Sequence, residues 1–165
     1  MANDSEARLR RVEDQLAIYQ VIAAHPCAVD GRNIEALGEL YAEDGVYAIG
    51  EAGEAGRFAG RPAVKALIGS SAIGDMVAAG MGHIGTLPYV VIDSDRAVAT
   101  AHAMVVLNGA DGFRVARLSA ARYELERNAD GDWRISLRSL HLPDGNSTAP
   151  AMLGRLTEAP ERVAA

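Results

Sequence analysis

Apolar residues recur every three or four positions along the first part of the chain and alternate along the second half, so helices come first and a sheet follows. Ser5 can cap a first helix, and Leu9, Val12, Leu16, Tyr19, Ile22 and Ala23 form one apolar stripe along it. Pro26 lacks an amide donor and crowds the preceding turn, so it is expected to kink or end this helix. Asp30-Gly31-Arg32-Asn33 reads as a turn. A second short helix follows with Ile34, Leu37, Leu40 and Tyr41 on one side, closed by Glu43-Asp44-Gly45. Residues 46–49 read as a strand, 50–56 as a glycine-rich loop, and Phe58 as part of a short returning strand. Pro62 suits the first turn of a third helix carrying Val64, Leu67 and Ile68. Residues 69–82 mix helical and loop composition.

Four strand-like runs follow, at 83–92, 97–108, 114–127 and 133–142. The segments between them, Asp93-Ser94-Asp95, Gly109 to Gly112 and Asn128 to Gly131, hold the residues that tight turns require. The order predicts an α+β domain with N-terminal helices on a mostly antiparallel sheet. Strands of ten or more residues must curl strongly, which predicts an open, cone-like α+β barrel. One domain covers residues 1–142, and 143–165 form a tail with a short helix near 151–156, a candidate lid or partner-contacting segment.

Composition narrows the function more than the fold. The chain has 165 residues, 49% apolar, with a net charge of −6, and no basic run for nucleic acid. No apolar stretch reaches membrane-spanning length, and the acidic start is unlike a secretory signal, so the expected location is the cytoplasm. Cys27 cannot form an internal disulfide and reads as a small buried hydrophobe. The histidines His25, His83, His102 and His141 are too scattered for a metal motif, and no phosphate loop or dinucleotide fingerprint is present. Neither metal nor cofactor is expected.

What stands out is polar residues at positions where the pattern calls for apolar ones. Asp30 ends the long helix, where it also reads as a turn or cap residue. His83 opens the first long strand, Asn108 ends the second, and Arg138 interrupts the last. Tyr19 and Tyr47 read as core aromatics that can also touch a ligand. An Asp and a His meeting in an apolar pocket make a general-base pair, and an arginine or amide nearby can stabilise a developing anion.

Several segments carry a resemblance: Cys27-Ala-Val-Asp30-Gly-Arg-Asn, then Ile34 through Tyr47, Gly60-Arg-Pro-Ala-Val64, Gly82-His83-Ile-Gly, and Tyr123 through Ile135. Together they resemble the SnoaL-like branch of the nuclear-transport-factor-2-like superfamily. That family includes dehydratases, a dehydrochlorinase, isomerases, polyketide cyclases and non-catalytic subunits. The resemblance implies that Asp30 and His83 match the family's catalytic pair, and that Arg138, five residues beyond Trp133, matches the dehydrochlorinase arginine. Asn108 falls where one dehydratase carries a second histidine, and Val29 where it carries a tyrosine. The implied function is a cofactor-independent, dehydratase-type lyase acting on a hydrophobic ring compound. His83, Asp30 and Arg138 would carry the chemistry, with Asn108, Tyr19 and Tyr47 binding the substrate. An isomerase or cyclase of the same fold and a non-catalytic binding or interface domain are the alternatives. A homodimer or homotrimer is expected, because the outer face of a curved sheet needs cover.

Overall fold

The structure, a computed structural model, describes residues 2–156. Helix α1 spans Ala2–Asp30 and α2 spans Ile34–Glu39. Strand β1 (Tyr41–Ile49) leads through a 3-10 segment (Gly50–Gly56) to β2 (Arg57–Ala59). Helices α3 (Arg61–Gly69) and α4 (Ser71–Ala78) follow, then β3 (Met81–Gly85), β4 (Tyr89–Asp93), β5 (Arg96–Gly109), β6 (Gly112–Arg127), β7 (Trp133–His141) and α5 (Thr148–Gly154).

The α+β class and the mostly antiparallel sheet are borne out. The strand order is β2-β1-β7-β6-β5-β3, with β4 also on β5, so the sheet is curved but not closed into a barrel. Among the described residues, only β1 and β7 run parallel. The expected strand at 83–92 is two strands. β3 pairs with residues 103–107 of β5 and β4 with 96–100, with Thr86-Leu87-Pro88 between them. Pro88 has no amide to continue a ladder.

Four further expectations are corrected in whole or in part. Of the kink or end expected at Pro26, the end does not occur, since α1 continues to Asp30. Pro26 sits in the last turns, where one missing hydrogen bond is tolerated, and Gly31 N–H, Asn33 N–H and Arg32 N–H close the end on Cys27, Ala28 and Val29 carbonyls. Cys27 is exposed, not buried. The predicted apolar stripe of α1 is not its core face: Leu9, Val12 and Leu16 are exposed, while Ile18, Ile22, His25 and Val29 are buried at steps of four, three and four. The strand after α2 also starts earlier, at Tyr41, because β1 carries an irregularity between Tyr41 and Val46.

The core lies between α1, α2, α3 and the inner face of the sheet, with Ile18, Leu37, Tyr41, Leu125, Trp133 and Ile135 at its centre. Asp14 fastens α1 to the sheet. Its Oδ1 accepts from Arg127 at 2.7 Å and from Trp133 Nε1 at 3.2 Å, and the Arg127 guanidinium stacks 4.5 Å from the Trp133 ring. Arg32 donates to the carbonyls of Ile68, Gly69 and Ser70 at the end of α3, which ties the turn after α1 to that helix. Helix α5 packs on β6 and β5. The outward-facing Val98, Thr100 and Ala120 are buried within the chain, whereas Ile84, Val115 and Leu118 remain exposed.

The inner face of β6 explains where the core stops. Inward residues run Leu125, Tyr123, Ala121, Ser119, Arg117, and their neighbours on β5 are Ala97, Ala99, Ala101, Ala103 and Val105. Large side chains fill the end near Trp133, while alanine and serine leave room at the other end.

The irregularity in β1 needs Gly45. A Cβ there would lie 2.6 Å from the Ile135 carbonyl oxygen and 3.0 Å from that of Ala42, both backbone atoms. Gly45→Ala is expected to cost about 2 kcal/mol or more in chemical denaturation. Gly85→Ala meets nothing within 4 Å and is expected to stay near wild type.

Candidate functional site

The space left by the alanines is a cavity of about 400 Å³ between α1 and the inner face of β3, β5, β6 and β7. Its walls are mostly apolar, with Ile22, Ala101, Ala103, Met104 and Leu140 among them. The polar side chains on it come from α1, β3, β5, β6 and β7, with Tyr19, Gln20 and His25 on α1 and Arg117, Ser119 and Tyr123 on β6.

Asp30 stands on the last turn of α1 and His83 on β3. The carboxylate takes both of its hydrogen bonds from that one residue: His83 Nδ1–H donates to Oδ1 at 2.6 Å, and the His83 backbone N–H donates to Oδ2 at 2.7 Å. This bidentate contact holds the ring against rotation and assigns the proton to Nδ1, leaving Nε2 to accept one. The side chains are 24% exposed for His83 and 29% for Asp30, so His83 is reachable from the cavity.

Arg138 faces inward on β7, because register places it beside Tyr47 of β1 and Tyr123 of β6 in one row across the sheet. Its guanidinium lies 4.8 Å from the Tyr47 ring and 5.4 Å from that of Tyr123. It is 6% exposed, and its Nε has no hydrogen-bond partner. Burial works to lower its pKa, and the hydroxyls of Tyr123, Tyr47 and Tyr41 outweigh that, so the net direction is upward and the charge is permanent.

His25 is a site residue that the sequence reading did not single out. It is buried on the core face of α1 and lines the cavity. Its Nε2 lies 3.0 Å from the Tyr41 hydroxyl, and its ring stacks on Tyr47 at 6.3 Å. Burial first, then Arg138 and His83, hold its pKa well below the ordinary value, so it is neutral at pH 7. Burial likewise raises the Tyr41 hydroxyl, which stays protonated as a donor. Arg117 and Ser119 also line the cavity, with Arg117 Nε donating to Ser119 Oγ at 3.0 Å. The signal for both was their place in the alternation that carries Ala121 and Tyr123 inward. The spacing Ile18, Ile22, His25, Val29 held the signal for His25.

Tyr19 lies on the cavity wall with its hydroxyl taking a hydrogen bond from Gln15. Tyr47 does not line the cavity; it is buried behind Arg138 and His25. Asn108 is not on the cavity either. It is exposed at the end of β5, one register step out of phase with Leu107, and packs toward Gly80. Among the described residues, no three His, Cys, Asp or Glu side chains gather where a metal ion could be held.

The lowered pKa of His25 has a sign. Above the ordinary value of 6.5 both folded and unfolded chains keep the ring neutral. Below it the unfolded chain takes a proton that the folded chain refuses, so stability falls as pH drops toward the depressed native value, by up to about 1.4 kcal/mol per pH unit. Urea unfolding between pH 7.5 and 5 is expected to show a steeper acid loss in the wild type than in His25→Gln. Parallel curves would refute this.

The family model for the SnoaL-like domain matches residues 10–139. An NTF2-like protein with a cystatin-like fold from Novosphingobium aromaticivorans has a similar structure, with a TM-score of 0.85, 35% identity, and coverage of 92% of this chain and 96% of that one. A protein of unknown function from Mycobacterium tuberculosis, a variant of Rv3472, aligns with a TM-score of 0.70 at 20% identity over 92% of this chain and 89% of its own. The hexachlorocyclohexane dehydrochlorinase LinA-type3 from Novosphingobium barchaimii aligns with a TM-score of 0.65 at 21% identity, over 82% of this chain and 90% of its own. The last two likenesses speak to fold alone. No curated protein matches. The matched family model runs from within α1 through nearly all of β7 and takes in every polar side chain of the cavity, and the chain belongs to the SnoaL-like domain family.

Proposed function

We propose that this chain is a cofactor-independent lyase of the dehydratase type, acting on a hydrophobic ring compound inside the cavity. The observation that carries the reading is the two-point contact between Asp30 and His83 beside an apolar space. A histidine held in one orientation, with a carboxylate on Nδ1, is equipped to take a proton at Nε2 and to be stabilised once it has done so.

In the proposed step, His83 Nε2 removes a proton from a ring carbon, and the electron pair of that C–H bond becomes the second bond of a carbon–carbon double bond. The neighbouring C–O bond breaks, and its pair leaves with the oxygen. The imidazolium returns its proton to that oxygen, which departs as water. Asp30 balances the transient positive charge. Arg138 supplies a permanent positive charge for an oxygen that is, or becomes, anionic. His25, neutral and paired with the Tyr41 hydroxyl behind it, supplies hydrogen-bonding capacity at the wall without competing for the proton. Asn108 and Tyr47 stand off the cavity surface, so of the three residues expected to bind substrate only Tyr19 lies on the wall.

A screen of ring-bearing alcohols, read by mass spectrometry for loss of water, tests the reading. On a substrate so found, His83→Gln is expected to lower kcat by roughly 10²–10⁴-fold, with an unchanged melting temperature. Asp30→Asn is expected to fall in the same range, and Asn108→Ala to stay within about twofold of wild type, as a change outside the cavity should. Full turnover by His83→Gln would remove the general base, and a product equal in mass to its substrate would identify an isomerase instead.

A further inference from the structure

The charges around the cavity do not resemble those of the rest of the chain. The protein as a whole carries a net charge of −6. Yet among the described residues no Asp or Glu lines the cavity, while two guanidiniums do, Arg138 and Arg117. Asp30, the carboxylate that contacts His83, has both oxygens engaged by that residue. Two aromatic faces and a hydrogen bond to Tyr123 hold Arg138 where a counterion would otherwise be expected, and its Nε has no hydrogen-bond partner although the residue is 6% exposed. A buried guanidinium held in this way is costly in the empty protein, and an anion brought into the cavity compensates it.

We infer that the substrate is an organic acid: a ring-bearing carboxylate whose charged group seats on the Arg138 guanidinium. This rests on the proposed reading that the cavity takes a ring compound, and it adds the charge. A carboxylate fits better than a phosphate. The guanidinium is a planar fork suited to donating two parallel hydrogen bonds to one carboxylate. A phosphate would carry a second charge into walls that are mostly apolar. The walls that remain, Ala101, Ala103, Met104 and Leu140, are small or apolar and suit a flat ring. Arg138 then meets the charge in the bound substrate as an anchor, and the proton that His83 takes can be the one returned to the departing oxygen. The lowered pKa of the neighbouring His25, to which Arg138 contributes, reports the same positive field.

The test compares acids with their uncharged amides of the same shape: benzoate with benzamide, 2-naphthoate with 2-naphthamide, and cyclohexanecarboxylate with its amide. Binding to the full chain is measured by titration calorimetry at pH 7. At least one acid is expected to bind tenfold or more tightly than its amide. That preference should persist in His83→Gln, shrink in Arg138→Lys, and vanish in Arg138→Gln. Raising the salt concentration should weaken the acid and leave the amide unchanged, a reading that needs no variant to fold. If no acid binds more tightly than its amide, or if the preference survives in a folded Arg138→Gln, the inference is overturned. If the preference holds while His83→Gln keeps full turnover, the elimination reading fails and the anionic substrate stands.

Discussion

One carboxylate sets the geometry on which the cavity depends. Asp30 gives one oxygen to the His83 ring and the other to the His83 backbone amide, across 53 residues of sequence. A carboxylate at a helix end could satisfy itself with water or with nearby amides. Spending both oxygens on one residue of β3 instead fixes where the strand lies and how its side chain points. Because the Asp30 turn continues into Arg32, which holds the end of α3, the same joint links α1, α3 and β3.

The remainder of the site follows from registry in the sheet. Tyr47, Arg138 and Tyr123 come from three strands and meet only because β1, β7 and β6 are aligned in one row. A slip of one residue would turn Arg138 outward and bring an apolar neighbour in. The cavity itself comes from a change of side-chain size along the strands. Leu125, Ile135 and Trp133 close one end, and Ala101, Ala103 and Ser119 leave the other open. Core and cavity are therefore one surface with two fillings.

Much of this was legible in the residues. The alternation from Arg96 to His141 and the turn chemistry between runs placed β5, β6 and β7 within a residue or two. Asp30, His83 and Arg138 were found as polar residues out of pattern. What misled was local pattern taken without its tertiary setting. The stripe Leu9, Val12, Leu16 is regular, but periodicity cannot tell where a long helix runs past the body it packs on. Asn108 and Tyr47 were near the right strands, yet the side chain of one points outward and the other sits a layer behind the surface. Beyond their place in a periodic pattern, nothing in the local sequence marks His25 or Arg117, because a cavity is a property of residues in common.

The sheet is open, and the arrangement of its strands bears on how the protein behaves in a crowded solution. Its longest strands, β5 and β6, are interior in the strand order, but β6 meets β7 only along residues 120–127, and among the described residues its first half, 112–119, pairs with β5 alone. The edges are β2, with three residues, and β3 and β4, with five each, parted by Pro88. Short, interrupted edges offer little template for a strand from another molecule. An unclosed sheet keeps its mouth accessible to small molecules, and the brevity of β2, β3 and β4 discourages edge-to-edge assembly along those strands, which leaves the first half of β6, with Phe113, Val115 and Leu118 exposed, as the longer rim.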